Sequence, residues 1–235
     1  MSANESGGRP GGAGPGLPEI DVREWGGKKD GERQVLDRRM FFQLWVFDVP
    51  RAKDVPSPAD VARELADALK QRHIRSVVYA DATSPAGLGL LTWSEDPAHF
   101  VDTVRPLFGE GIGRRLRQRR DYTMIGRTYS LGHEPELEHA LLHRPVEYVL
   151  HEGWDWTVWY PLRRTGAFET LERAEQVSIL REHDSIGMAY GKADLAHDVR
   201  LACHGLDAGD NEFVIGLIGK DLHPLSHVVQ HMRTT

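Results

Sequence analysis

His183 sits at the centre of an apolar helical stripe, because Ile179, Leu180, Ile186 and Gly187 lie one turn before and one turn after it. An imidazole in that position either donates to a carbonyl as a core residue or ligates a metal. Gly187 leaves room for something flat beside the ring. Tyr160, Arg163 and Arg164, in the run WYPLRR, form a second constellation. Pro161 ends regular strand pairing there, so two guanidiniums that grip carboxylates follow directly on a phenol. The alternative is an aromatic strand end with exposed arginines.

His223, His227 and His231 recur every four residues along one helix face, as in zinc-binding helices, with Leu225, Val228, Val229 and Met232 on the opposite, buried face. The histidines are therefore expected to face solvent, and His139 and His143 share the same spacing. Gly109, Gly111 and Gly113 do not make a dinucleotide fingerprint, because no strand precedes them and the third glycine is misplaced. No nucleophile-elbow, zinc-protease, Walker or paired-cysteine pattern occurs.

The elements that must position these residues read as one order used twice. Residues 1–37 open Gly/Pro-rich and are assigned to a disordered tail. FFQLWVFDV reads as a strand. Ser57 caps a helix with Pro58 at its first turn, placing Val61, Leu65, Ala68 and Leu69 on one face. IRSVVYADA and LGLLTWS flank the turn SPAG and read as a hairpin, residues 97–108 as a helix, and YTMIGRTY as a last strand. The order resumes after Pro145 with WDWTVWYPL, a helix over 167–190, a hairpin of VRLACHGL and NEFVIGLIG, and an amphipathic helix over 222–233. Two βαββαβ units make an α+β fold of two ferredoxin-like halves, a dimeric α+β barrel type of domain. The halves are expected over 38–140 and 141–235, the second without its closing strand because the sequence stops at Thr235.

Composition bounds the function. No apolar run approaches a membrane span, and no basic patch with an apolar stretch marks a signal peptide, so the chain is expected in the cytoplasm. The net charge of −6 argues against nucleic acid as a general partner, with RRLRQRR at 114–120 a local basic cluster. Cys203 is the single cysteine, which excludes an internal disulfide and covalent c-type haem attachment.

WYPLRR at 159–164, REHDSIGMAY at 181–190 and HGLDAGDNEFVIGL at 204–217, leading into HMR at 231–233, together resemble the chlorite dismutase family. The resemblance covers residues 40–235 and includes the coprohaem decarboxylases. It implies an iron porphyrin, coprohaem or haem b, with His183 as the proximal metal ligand. Tyr160 stands where decarboxylases resemble this chain, which implies a haem-dependent oxidoreductase that takes iron coproporphyrin and hydrogen peroxide to haem b. Under that resemblance Tyr160 is catalytic, Arg164 holds a propionate and Arg163 assists. The residue over the iron is Arg200, Asp198 or His197, since the stretch before the GLDA motif is about two residues longer than usual. The carboxylate that usually bonds the proximal histidine would fall beyond Thr235. The resemblance also implies a homo-pentamer or homo-hexamer. Two alternatives accompany the decarboxylase: a chlorite dismutase or peroxidase-like enzyme, and a non-catalytic porphyrin carrier or sensor.

Overall fold

The computed structural model describes residues 17–50, 56–164 and 166–234. Strands β1 (Glu24–Lys29) and β2 (Glu32–Leu36) form a hairpin inside the stretch that composition assigned to a tail, which corrects that assignment for residues 24–36. The first residues of the expected tail, 1–16, lie outside the described residues. Asp30 and Gly31, both at positive φ, make the two-residue turn. Gln34 fastens the hairpin, its amide donating to the Glu134 carbonyl at 3.1 Å and its oxygen accepting from Leu137 N at 3.1 Å.

Strand β3 (Phe41–Asp48) leads to helix α1 (Pro58–Gln71), where the Ser57 hydroxyl accepts from Asp60 N at 3.2 Å and Val61, Leu65 and Leu69 are buried. Strands β4 (Ser76–Ala80) and β5 (Gly87–Ser94) form the expected hairpin. The helix expected over 97–108 is present but irregular: a π turn over Phe100–Val104 passes into a 3₁₀ segment over Arg105–Gly109, where Pro106 removes an amide donor. The short β6 (Arg117–Gln118) and β7 (Met124–Thr128) both pair with β3. A π turn over His139–His143 continues into α2 (Arg144–Val149).

The second half has β8 (Trp156–Leu162), a single turn α3 (Gly166–Glu169), the long α4 (Arg173–Lys192), β9 (His197–Ala202), β10 (Phe213–Gly219) and α5 (Leu222–Met232). The helix expected over 167–190 is therefore two helices, interrupted before Arg173. Strand order β4-β5-β3-β7 is the ferredoxin-like arrangement, and β9-β10-β8 repeats it with no fourth strand among the described residues. The halves join where β7 pairs with β9 through Arg127↔Ala202 and Thr128↔Leu201, so one antiparallel sheet runs through both.

Side-chain alternation divides the sheet cleanly. One face carries Phe42, Leu44, Leu91, Trp93, Val199, Leu201 and Val214 into a core shared by both halves and closed by Leu137, Leu141 and Val149. On the other face, α1 and the 98–109 segment cover the first half with Val61, Leu65, Phe100 and Val104. Helices α4 and α5 cover the second half through Ile186, Leu225 and Val228 packed over Leu217. Tyr160, Arg200 and His183 all belong to this last layer.

Candidate functional site

Register fixes the floor of the site. Tyr160 on β8 pairs with Ile215 on β10, and Ile215 pairs with Arg200 on β9, so the phenol and the guanidinium share one row and one face of the sheet. Leu162, Phe213 and Ala202 form the next row on that face, continued by Arg127 of β7. Burial raises the Tyr160 phenol above its ordinary value, with Asp198 adding to the effect and Arg233 opposing it. Tyr160 therefore keeps its proton at neutral pH.

Arg200 is held in an acidic bracket, its Nε 2.9 Å from Asp198 and its Nη1 3.7 Å from Asp184 on α4. Burial opposes its charge, and Asp198, Tyr129 and Asp184 more than offset that, so it remains cationic. Of the three candidates for the position over an iron, Asp198 and Arg200 face the site. His197 faces the other way: its ring stacks on Trp154 at 3.9 Å and 13°, and its Nε2 bonds Asp194 at 3.0 Å.

At the end of β8 the two arginines part. Arg163 donates to the carbonyls of Gly209 and Asp210, clasping the loop between β9 and β10. Arg164 instead lies over two aromatic rings, 4.9 Å from Phe213 and 5.2 Å from Phe168. Its backbone amide donates to Glu212 at 3.2 Å, while its guanidinium reaches Glu212 and Glu169 only at 4.0 and 3.9 Å. These are loose ion pairs, so the cation is positioned by stacking and stays able to take a better carboxylate.

His183 is half-buried on α4, and its Nδ1 lies 3.0 Å from the Ile179 carbonyl. With the proton on Nδ1 donating to that carbonyl, the lone pair is on Nε2, the form a metal requires. At Gly187, one turn on, an added Cβ would meet only the Met232 methyl at 3.6 Å. The stripe around His183 is less covered than periodicity suggested: Ile186 is buried, but Leu180 is 43% exposed. An iron porphyrin needs an imidazole, an apolar surface and cations for its carboxylates, and His183, Leu180 and Arg164 are residues of those kinds. The residues present fit the group.

The remaining histidine patterns resolve separately. His223, His227 and His231 are exposed, as expected, and no group of three metal-binding side chains in metal-holding geometry occurs among the described residues. His139 pairs with Glu147 at 3.1 Å on the surface. Two contributors escaped the sequence reading: Asp184, which follows His183 and reaches Arg200, and Phe213, which carries Arg164. Strand parity pointed to Phe213, two positions before Ile215; nothing local signalled Asp184. Among the described residues no helix is long and apolar enough to cross a membrane.

A family model described as chlorite dismutase matches residues 58–235. A solved structure assigned as a chlorite dismutase superposes with a TM-score of 0.63 at 16% identity, covering 83% of this chain and 86% of its own. Chlorite dismutase from Candidatus Nitrospira defluvii in complex with imidazole gives 0.63 at 13% identity, with 84% of both chains covered. A mutant of that protein in complex with cyanide gives 0.63 at 14%, covering 84% of this chain and 83% of its own. No curated protein matches the sequence.

Proposed function

We propose that this chain, which belongs to the chlorite dismutase family, binds iron coproporphyrin and converts it with hydrogen peroxide to haem b. The observation that carries the reading is the Tyr160 phenol in register with Arg200, on the sheet face covered by the helix of His183. His183 Nε2 would ligate the iron, and Arg164 would take a propionate that its two loose partners hold poorly. Iron in a porphyrin supplies one-electron oxidising power from peroxide.

A propionate carbon–hydrogen bond is too strong for an ordinary base, so the reacting group must be a one-electron oxidant beside the side chain. Tyr160 meets that need as a phenoxyl, formed when its electron passes to the peroxide-oxidised porphyrin and its proton to water. It would take a hydrogen atom from the carbon next to the ring, and the carbon radical so formed would give one further electron to the porphyrin as the carboxylate leaves as carbon dioxide. Each vinyl group thus uses the two oxidising equivalents of one peroxide. Arg164 fixes the carboxylate so that this carbon faces the phenol, a gain of orientation. Arg163 acts at one remove, because its bonds to Gly209 and Asp210 hold the loop that borders Phe213.

Arg200 favours a second reading, chlorite or peroxide breakdown, because an arginine faces the site from β9. Its bracket of Asp198 and Asp184 counts against it, since the cation is already matched by two carboxylates. Self-association into a pentameric or hexameric ring belongs to the same proposal. The deciding experiment adds iron coproporphyrin and peroxide to the protein and follows porphyrin mass. Stepwise loss of carbon dioxide in the wild type, absent in Tyr160→Phe with binding retained, supports the decarboxylase. Untouched coprohaem with oxygen released from chlorite replaces it by the second reading.

A further inference from the structure

A second phenol, Tyr190, lies outside the Tyr160 site. Tyr190 lies on α4, seven residues beyond His183, or about 10 Å along the helix axis. Its side chain packs against the same apolar cluster as Tyr160, the one built from Ile186, Leu217, Leu225 and Val228. Its hydroxyl is hydrogen-bonded to Nδ1 of His227 on α5, and in the tautomer that carries its proton on Nε2 the imidazole is the acceptor. His227 is exposed and stands between His223 and His231, at ring separations of 5.7 and 6.3 Å. The histidine ladder makes no metal centre among the described residues, yet it gives one half-buried phenol an imidazole partner that is open to water.

We propose that Tyr190 and His227 form a proton-coupled one-electron oxidation site, which draws oxidising equivalents from the porphyrin pocket to the surface and spends them on a small donor of the phenol or ascorbate class. The inference rests on the porphyrin reading above. A phenol cannot lose an electron cheaply while it keeps its proton, because the phenol radical cation is a very strong acid. At Tyr190 the O–H bond breaks, the electron passes toward the pocket oxidised by peroxide, and the proton crosses to His227 Nδ1. The neutral tyrosyl radical then takes a hydrogen atom from the donor, and His227 returns its proton to water. Two such cycles use the two oxidising equivalents of one peroxide and release two donor radicals.

Two arms test the site. In the first, the full chain without porphyrin is oxidised by a flash-generated ruthenium trisbipyridine oxidant, and tyrosyl absorbance is followed. The wild type should show a fast phase, slowed in heavy water, that Tyr190→Phe removes, that His227→Ala slows about a hundredfold, and that His223→Ala leaves alone. An unchanged rate in His227→Ala overturns the proposal. In the second arm the haem-loaded protein meets peroxide and ascorbate, with the radical read by electron paramagnetic resonance. Tyr190→Phe should lower the radical signal and slow ascorbate oxidation about tenfold, while Tyr160-dependent loss of carbon dioxide from coprohaem continues. Bound haem with no contribution from Tyr190 overturns the proposal alone; failure to bind haem at all overturns the porphyrin reading and the route with it, even if the flash arm succeeds.

Discussion

Gly126→Ala should unsettle the seam between the two halves. Gly126 lies on β7 beside the only two ladder pairs that the described residues of β7 and β9 make. A Cβ there would stand 2.8 Å from Leu201 Cβ and 3.1 Å from the Ala202 carbonyl oxygen. Carbon pairs rest at about 3.5–4.0 Å, so β9 would have to retreat by about 1 Å. Neither neighbour is the end of a flexible side chain, so the strain falls on backbone. Overpacking of this kind costs about 1–3 kcal/mol, and the stiffer unfolded chain returns about 0.4–1 kcal/mol. A net loss of about 1–2 kcal/mol lowers the melting temperature by about 2–8 °C for a chain of this length. Thermal unfolding followed by circular dichroism measures it, with Gly109→Ala as control because nothing lies within 4 Å of its added Cβ. Melting of Gly126→Ala equal to or above the wild type would refute the argument that a Cβ at this close approach strains the seam, and Gly109→Ala should show only the small gain of a stiffer unfolded chain.

His183→Ala should abolish the histidine-ligated haem spectrum, whereas simultaneous replacement of His223, His227 and His231 should leave it intact; titration with ferric haem decides between them. Arg164→Ala should weaken coprohaem binding about tenfold, a loss of about 1.4 kcal/mol, and weaken a porphyrin with fewer carboxylates less. Burial pushes the Cys203 thiol from 9.0 to about 12, helped by Asp207 and Glu212. The native state then holds a proton that the unfolded chain gives up sooner, so this contribution to stability is full below pH 9 and is lost as pH rises toward 12. Urea midpoints should fall across that interval, less steeply in Cys203→Ala, and thiol reagents should label Cys203 only on unfolding.

Much of the frame was legible because local signals agreed with it. The Ser57–Pro58 cap and the spacing of Val61, Leu65 and Leu69 specify α1 without help from the rest of the chain. The hairpin of β1 and β2 also had its signal, the pair Asp30–Gly31, but charged and glycine-rich flanks hid it; its strands are held by Gln34 and Glu24 reaching distant backbone, with Leu36 packed against the main core. At the site, an apolar stripe on α4 was read as buried. Such a stripe reports affinity for something other than water without saying what covers it, and in the chain Leu180 is 43% exposed. The choice among His197, Asp198 and Arg200 waited on the register of β9, because strand parity assigns faces only once one position is known.

The match to the family model begins at residue 58, yet β3, over Phe41–Asp48, is the strand between β5 and β7. The matched segment thus lacks a central strand of its own sheet. A gene fragment cut at the edge of the likeness would encode two open sheet edges in place of one central strand, and edges of that kind recruit other chains. Expression boundaries belong before Glu24 instead, where the hairpin still brings its carboxylate to Arg127 Nη1 at 3.0 Å and to the Ser130 amide at 2.9 Å.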